Sequence, residues 1–437
     1  MKWKRVLYAL VAWTGGVCLL STANADIFTK HGRRVSVGPN PSAVVAEDMN
    51  DDGLPEIFTA DTGRLGSPDE ERPANDEVSF LLARGKLDYA TQPPLRVGFA
   101  PMALLVTNLD GLKAPDLLVA SFHTQADRPI TLFRNLGENR FETAGPFSVP
   151  AQLLTYHRML DGDNKPVYTS PGVTSLAAFF ANRDECRDVI ATAWASDALL
   201  YFPGDRNAYL GEPQIIPASG GPRDVRAVDL DGDALVDLAV TMYVSGEIGL
   251  WRGDGTGNFT PATRLATRGP FPHKIRVADM NGDGKPDLIV SHCFSSDSIE
   301  IFYGNGGFQF PVSQEIMFGK NPKILEHEIR DIVVDDLNGD GSPDIAAACY
   351  TSQQVFVLLN RPGSGPASRS FVQESYSFVQ EGKPRALHVA DLNQDGARDL
   401  LVALWGSNEI AFLLGTPPPA PQKQPPAPKP ATAKTKK

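Results

Sequence analysis

"DMNGDGKPD", residues 279–287, places aspartates at its first, fifth and ninth positions, asparagine at its third and glycines at its fourth and sixth. Several carboxylates crowded into one turn repel one another unless a cation offsets them. The spacing recurs at 229–237 (DLDGDALVD), 336–344 (DLNGDGSPD) and 391–399 (DLNQDGARD), and at 48–56 (DMNDDGLPE) with glutamate in the ninth place. Two worn copies complete the set: NLDGLKAPD at 108–116, with Leu112 at position five, and FANRDECRD at 180–188, with Phe180 at position one. Successive starts are 60, 72, 49, 50, 57 and 55 residues apart. Seven units of that period are a repeat architecture.

The flanks repeat too. An apolar stretch such as KIRVA or ALHVA precedes each loop, and a β-rich run such as DLIVS or DLLVA follows it. A polar turn, a second run (SIEIF, EIAFLL), a Gly/Asn turn and a fourth extended segment complete each unit. Short β-rich runs between turn signals read as strands. The expected fold is therefore all-β, a seven-bladed β-propeller of four-stranded antiparallel blades over residues 26–415. After the seventh loop only two strands remain before Leu414, so residues 27–37 are expected to supply the missing outer strand and close the ring.

The loop chemistry suits Ca²⁺. Positions one, three and five offer side-chain oxygens, position seven its carbonyl and position nine a carboxylate able to use both oxygens. Glycine at position six permits the left-handed turn around the ion. The expected ligand sets are Asp48, Asn50, Asp52, Leu54 and Glu56; Asp229, Asp231, Asp233, Leu235 and Asp237; Asp279, Asn281, Asp283, Lys285 and Asp287; Asp336, Asn338, Asp340, Ser342 and Asp344; and Asp391, Asn393, Asp395, Ala397 and Asp399. Five structural calcium sites follow, and the worn loops are expected to hold none.

On these loops, and on segments such as WGSNEIAFLLG and WRGDGTGNF, the chain resembles the FG-GAP and VCBS repeat proteins, whose propellers are similar to the integrin alpha-subunit head. The resemblance covers nearly all of 26–415. It implies calcium in loops joining the first and second strands of a blade.

The two ends read differently. Residues 1–25 have Lys2, Lys4 and Arg5 before an apolar run and close on Ala23-Asn24-Ala25, which is the pattern of a secretory signal peptide. The run is too short for a membrane span and is broken by Gly15 and Gly16. Export to the periplasm, cell surface or medium is the expectation. Residues 416–437 are rich in proline, alanine and lysine, a composition that stays disordered and offers a basic tail to an anionic cell-envelope surface. The whole chain carries −11; without the eight cations of its ends, the body carries −19. Nucleic acid is excluded as a natural partner for such a body. Cys186, Cys293 and Cys349 are too few and too scattered for a disulfide framework, leaving one pair or buried thiols.

Six residues before position one, units four to seven carry Arg223, His273, Arg330 and Arg385, a partial cationic ring at the channel mouth opposite the calcium loops. The ring could take an acidic sugar, carboxylate or anionic peptide; the alternative is that it pairs with Asp224, Asp331 and neighbouring blades. Trp194, Tyr243, Phe294, Tyr350 and Trp405 recur at another fixed place, each two residues before a serine, and can serve a partner or pack between blades. Two irregular insertions, 61–77 and 150–172, are expected on the same face. Arg252-Gly253-Asp254 falls in an ordinary hairpin turn of the repeat. Catalytic motifs are scarce: no G-x-S-x-G and no phosphate loop occur, and only His388 beside Arg385 suggests lyase or hydrolase chemistry on an acidic polysaccharide. The reading is an exported, calcium-stabilised, non-catalytic scaffold for a protein or carbohydrate, with a polysaccharide-active enzyme as the alternative.

Overall fold

The computed structural model describes residues 27–63, 75–111, 114–122, 129–147, 153, 172–207, 209–294, 297–318, 326–365, 368–378 and 381–417. Residues 1–25, read from the sequence as a signal peptide, nearly all of the tail, residues 64–74 and all of 150–171 except Leu153 lie outside them. Ser296 and Leu112 do too.

Seven antiparallel sheets occur, one per loop. Blade four shows the plan: Pro222–Val228, Asp237–Met242, Glu247–Gly253 and Phe259–Ala266 pair in sequence order. The other first strands are Pro41–Glu47, Pro101–Thr107, Val173–Phe179, Pro272–Ala278, Ile329–Asp335 and Pro384–Ala390. Each first strand touches that of the next blade, and blade seven touches blade one, so the ring is closed. Blade one adds a fifth, two-residue strand, Leu95–Arg96, paired to its third.

Second strands such as Asp287–His292 and Asp399–Leu404 are buried at every residue. They lie between two strands of their own sheet and between two neighbouring sheets, which is why their sequence is continuously apolar rather than alternating. Each Val, Leu or Ile buried there contributes roughly 1.5–3 kcal/mol.

The closing strand is Phe28–Ser36, paired antiparallel with Glu409–Gly415 from Phe28 opposite Gly415 to Ser36 opposite Glu409. Phe28 is 2% exposed and meets the Tyr376 ring edge-on at 5.8 Å. Its N–H donates to the Tyr376 hydroxyl at 3.1 Å, and Arg34 pairs with Glu409 at 3.1 Å. The first and last strands thus share one sheet.

Every first strand carries a β-bulge immediately after its opening residue. That residue is proline in five blades: Pro41, Pro101, Pro222, Pro272 and Pro384. Proline is tolerated at a strand's first position, and a bulge re-aims the side chain that follows.

Candidate functional site

Each Asp/Asn-rich loop joins a first strand to a second strand, as expected. Within the loop the carboxylates and amides fold the backbone around themselves. Asp279 accepts N–H bonds from Gly282 (2.7 Å), Asp283 (3.1 Å) and Gly284 (2.6 Å). Asn281 Oδ1 accepts from Asp283 N–H at 2.9 Å, and Asp283 accepts from Lys285 N–H at 2.9 Å. The same cascade runs through Asp48, Asn50 and Asp52, through Asp336, Asn338 and Asp340, and through Asp391, Asn393 and Asp395. In loop 229–237 it is anchored on Asp229, Asp231 and Asp233. Position six has positive φ throughout: 83° at Gly53, 81° at Gly284, 86° at Gly341 and 85° at Gly396. Ala234 holds the same conformation at 64° without being glycine.

The ninth residue has a second task that the spacing alone did not disclose. Asp287 accepts the Met280 N–H at 2.8 Å on one oxygen and the Gly304 N–H at 2.7 Å on the other. Asp237, Asp344 and Asp399 repeat this with Leu230 and Gly253, Leu337 and Asn360, and Leu392 and Gly415. The worn loops keep it unchanged: Asp116 takes Leu109 and Asn135, and Asp188 takes Ala181 and Gly204. All are fully buried. Position nine therefore ties the loop to the end of the third strand whether or not the other donors are present. The third-strand residue must come close, and a Cβ at Gly204, Gly253, Gly304 or Gly415 would run into the carbonyl preceding position nine.

The five complete loops fit a hard cation. In loop 229–237, oxygens of Asp229, Asp231 and Asp237 lie within 4.8 Å of one another. Burial, with repulsion from the loop's own carboxylates, raises Glu56 and Asp344 to about 7 and Asp287 and Asp399 to about 6; it also raises Asp237. That repulsion is what a bound divalent ion offsets. Two arginines already approach these loops, Arg252 at 2.6 Å from Asp231 and Arg361 at 2.7 Å from Asp340. Ligands Leu54, Lys285, Ser342, Ala397 and Leu235 would enter only through their carbonyls.

Arg252 is thus held by Asp231, and Asp254 accepts bonds within its own turn from Thr256 and Asn258. The Arg-Gly-Asp tripeptide is a satisfied hairpin. Cys186, Cys293 and Cys349 are buried free thiols.

On the opposite face the side chains after the seven bulges converge on one constriction of about 20 Å³. Arg223, His273, Arg330 and Arg385 arrive from blades four to seven, joined by Lys274. Blades one to three supply the neutral Ser42, Met102 and Thr174 from the same register. The expected pairing with Asp224 and Asp331 occurs one layer deeper and with other partners. Arg226 and Arg276 bond Asp224 at 3.3 and 3.1 Å, and Arg276 bonds Asp331 at 2.9 Å. Burial opposes the charge on Asp224, but Arg226, Lys274 and Arg276 hold it well below the usual carboxylate range.

The ring cations instead stack on the recurrent aromatics. Arg223 lies 6.0 Å from the Trp194 ring and 5.7 Å from Tyr243; Arg330 lies 4.4 Å from Phe294 and 5.4 Å from Tyr350; Arg385 lies 4.8 Å from Trp405. Arg330 also pairs with Glu328. The two sequence recurrences are one belt of alternating cations and rings. Burial and the neighbouring Arg330 and Arg223 lower Arg385 to about 9, so it stays charged at neutral pH. His273 is driven well below its ordinary value by burial and four surrounding cations, and is neutral.

His388 does not join Arg385 at the mouth. Its Nε2 lies 3.0 Å from the Ala46 carbonyl, which can only accept, so that nitrogen carries the proton and is spent on the blade seven to blade one contact.

Seven radial blades, with carboxylate loops on one face and a cation–aromatic belt on the other, define a repeat β-propeller. The family model described as FG-GAP-like repeat matches residues 229–290 and 336–402, which supports an FG-GAP β-propeller. It is 27% identical to human T-cell immunomodulatory protein over 214 residues, 44% of this chain and 34% of that one. It is 27% identical to human integrin alpha-7 over 221 residues, 47% and 18% of the respective chains. The matches thus span about a third and a fifth of these relatives' lengths. Among solved structures it superposes on BBS1N in complex with ARL6DN (TM-score 0.58, 12% identity, 90% of this chain and 98% of that one). It also superposes on virginiamycin B lyase from Staphylococcus aureus (TM-score 0.54, 12% identity, 89% and 100%). At that identity the likeness is one of fold. Among the described residues no helix is long and apolar enough to cross a membrane.

Proposed function

We propose that the protein is an exported, calcium-stabilised binding scaffold that engages a protein or carbohydrate partner on the face opposite its metal loops. The difference between the two faces carries this reading. One face is occupied by loops that converge oxygen donors inward, a framework arrangement in which each ion is enclosed by a single loop. The other exposes Val244 (52%), Phe271 (36%) and Phe294 (48%) beside the cation–aromatic belt of blades four and five. Exposed apolar side chains rimmed by charge are what a docking surface presents. The engagement of His388 by Ala46 weighs against a polysaccharide-cleaving centre at the mouth. Kinship with an integrin alpha subunit supports extracellular placement. The basic tail supports contact with an anionic envelope surface.

Metal analysis and melting in calcium and in EGTA test the first half: calcium in the purified protein and a lower Tm in chelator are expected. Absence of calcium with an unchanged melting curve would refute it. For the second half, Val244→Asp and Phe294→Ser should abolish retention of a partner captured from the source extract by the wild-type protein, with folding intact. Retention unaffected by both substitutions would move the docking surface elsewhere.

A further inference from the structure

We propose that the constriction where the seven bulges meet is a binding site for one small, largely dehydrated monovalent anion, a halide ion or a single carboxylate head. The inference deepens the reading of this face but needs neither the calcium loops nor a macromolecular partner.

Charge is the first argument. In and just beneath the constriction, six cationic side chains, Arg223, Arg226, Lys274, Arg276, Arg330 and Arg385, face three carboxylates, Asp224, Asp331 and Glu328. Those carboxylates are committed to Arg226, Arg276 and Arg330, and among the described residues the guanidinium groups of Arg223 and Arg385 have no carboxylate within ion-pair distance and lie against ring faces. Uncompensated buried charge of one sign is unfavourable, and an anion at its centre would relieve it.

Hydrogen bonding is the second. His273 is 4% exposed and lines the cavity, yet among the described residues neither of its ring nitrogens has a partner. A neutral imidazole keeps one N–H to donate, and a buried donor without an acceptor is costly. The neutral side of the ring does not reach it: Thr174 Oγ1 bonds the Arg223 carbonyl at 2.7 Å, Ser42 Oγ bonds the Pro101 carbonyl at 3.1 Å, and neither hydroxyl is a partner of His273.

Size is the third. A cavity of about 20 Å³ holds a particle of water or halide dimensions. It admits the head of a carboxylate entering from the mouth and rejects a sugar ring. An acidic sugar, one of the three ligand classes the sequence left open for this ring, therefore fits here only through its carboxylate.

The test compares thermal unfolding in sodium bromide, chloride, acetate and methanesulfonate at one ionic strength and pH. Bromide and chloride should raise Tm by about 2–3 °C over methanesulfonate in the wild type through preferential binding to the folded state. That difference should vanish in Arg385→Gln. Because that variant loses its stacking on Trp405 and could fold poorly, a bromide-soaked crystal of the wild-type protein supplies a second readout: an anomalous peak among Arg223, His273 and Arg385. Loss of the peak when acetate is added identifies a site open to carboxylates. Persistence of the peak identifies one restricted to halides. No peak at the constriction, or anion effects equal in wild type and variant, would overturn the proposal. An EGTA-insensitive melting curve alongside a bromide peak would remove the calcium reading and leave this one standing.

Discussion

The ninth loop residue offers the sharpest test, because it separates framework from metal. Asp188 belongs to a worn loop in which Phe180 replaces the first ligand, yet its buried carboxylate accepts the Ala181 and Gly204 N–H groups, both at 2.9 Å. Asp188→Ala orphans two buried donors, each costing about 1–3 kcal/mol, for a loss near 4 kcal/mol. Unfolding entropy of about 2.1 cal/mol/K per residue over roughly 390 residues gives about 0.8 kcal/mol/K, so Tm should fall by about 5 °C. The fall should be the same in calcium and in EGTA. Asp279→Ala, at the first position of a complete loop, should behave in the opposite way. Its backbone partners are exposed and water can replace it, so the loss in EGTA should be about 1 °C or less. In calcium at about 100 times Kd it forfeits roughly 2.7 kcal/mol of linked stability, about 3 °C more. Differential scanning fluorimetry of both variants in both buffers reads all four values. An Asp188→Ala curve within about 1 °C of wild type, or a deficit seen only in calcium, would refute the division of labour.

Ala234→Gly should stabilise the protein by about 0.5–1 kcal/mol in a denaturant titration, since among the five complete loops Ala234 holds position six at positive φ with a Cβ where the others have glycine, and the strain relieved exceeds the entropy cost of glycine. His292, fully buried with Ser298 on its Nδ1 at 3.2 Å, has its pKa lowered by burial to about 4. The unfolded chain, near 6.5, then binds the proton first, so stability present above pH 6.5 is lost as pH falls toward 4. In His292→Gln the loss of unfolding free energy between pH 7.5 and 4.5 should be smaller by about 2–3 kcal/mol. Phe28→Ala should cost about 3–5 kcal/mol by emptying the contact with Tyr376, and limited proteolysis should then cut blade seven before the others.

The propeller was legible because the chain punctuates itself. The Asp/Asn loops mark where one strand ends and the next begins, and their period fixes one sheet per loop. The closing strand was legible by subtraction, from two strands left after Asp399 and unclaimed β-rich sequence at 27–37. The ninth aspartate was visible but misweighted. Asp116 and Asp188 remain in loops that have lost other ligands, and that survival was the signal of a metal-independent task. The glycines ending the third strands, as in RGDG and YGNG, were its counterpart. The cations and aromatics were each found by counting, but their union was not, because Arg223 and Tyr243 meet only after the bulge turns the arginine off the strand's alternation.

That bulge is what makes the two faces functionally unlike. A regular strand would send residues such as Arg223 and His273 alternately into the blade interfaces, where an unpaired cation is unaffordable. Seven bulges at one register aim them together at the axis, and proline at the strand's first position in five blades costs no ladder bond there. Four blades use the position for a basic or imidazole side chain and three for a neutral one, so the ring is lopsided in charge although uniform in backbone. If that lopsidedness selects the anion, moving it should move the specificity: Thr174→Arg, which adds a cation on the neutral side, should tighten bromide binding several-fold without altering the calcium response. Unchanged bromide affinity in a folded Thr174→Arg protein would mean that local hydrogen bonding from His273, and not the charge of the ring, decides what enters.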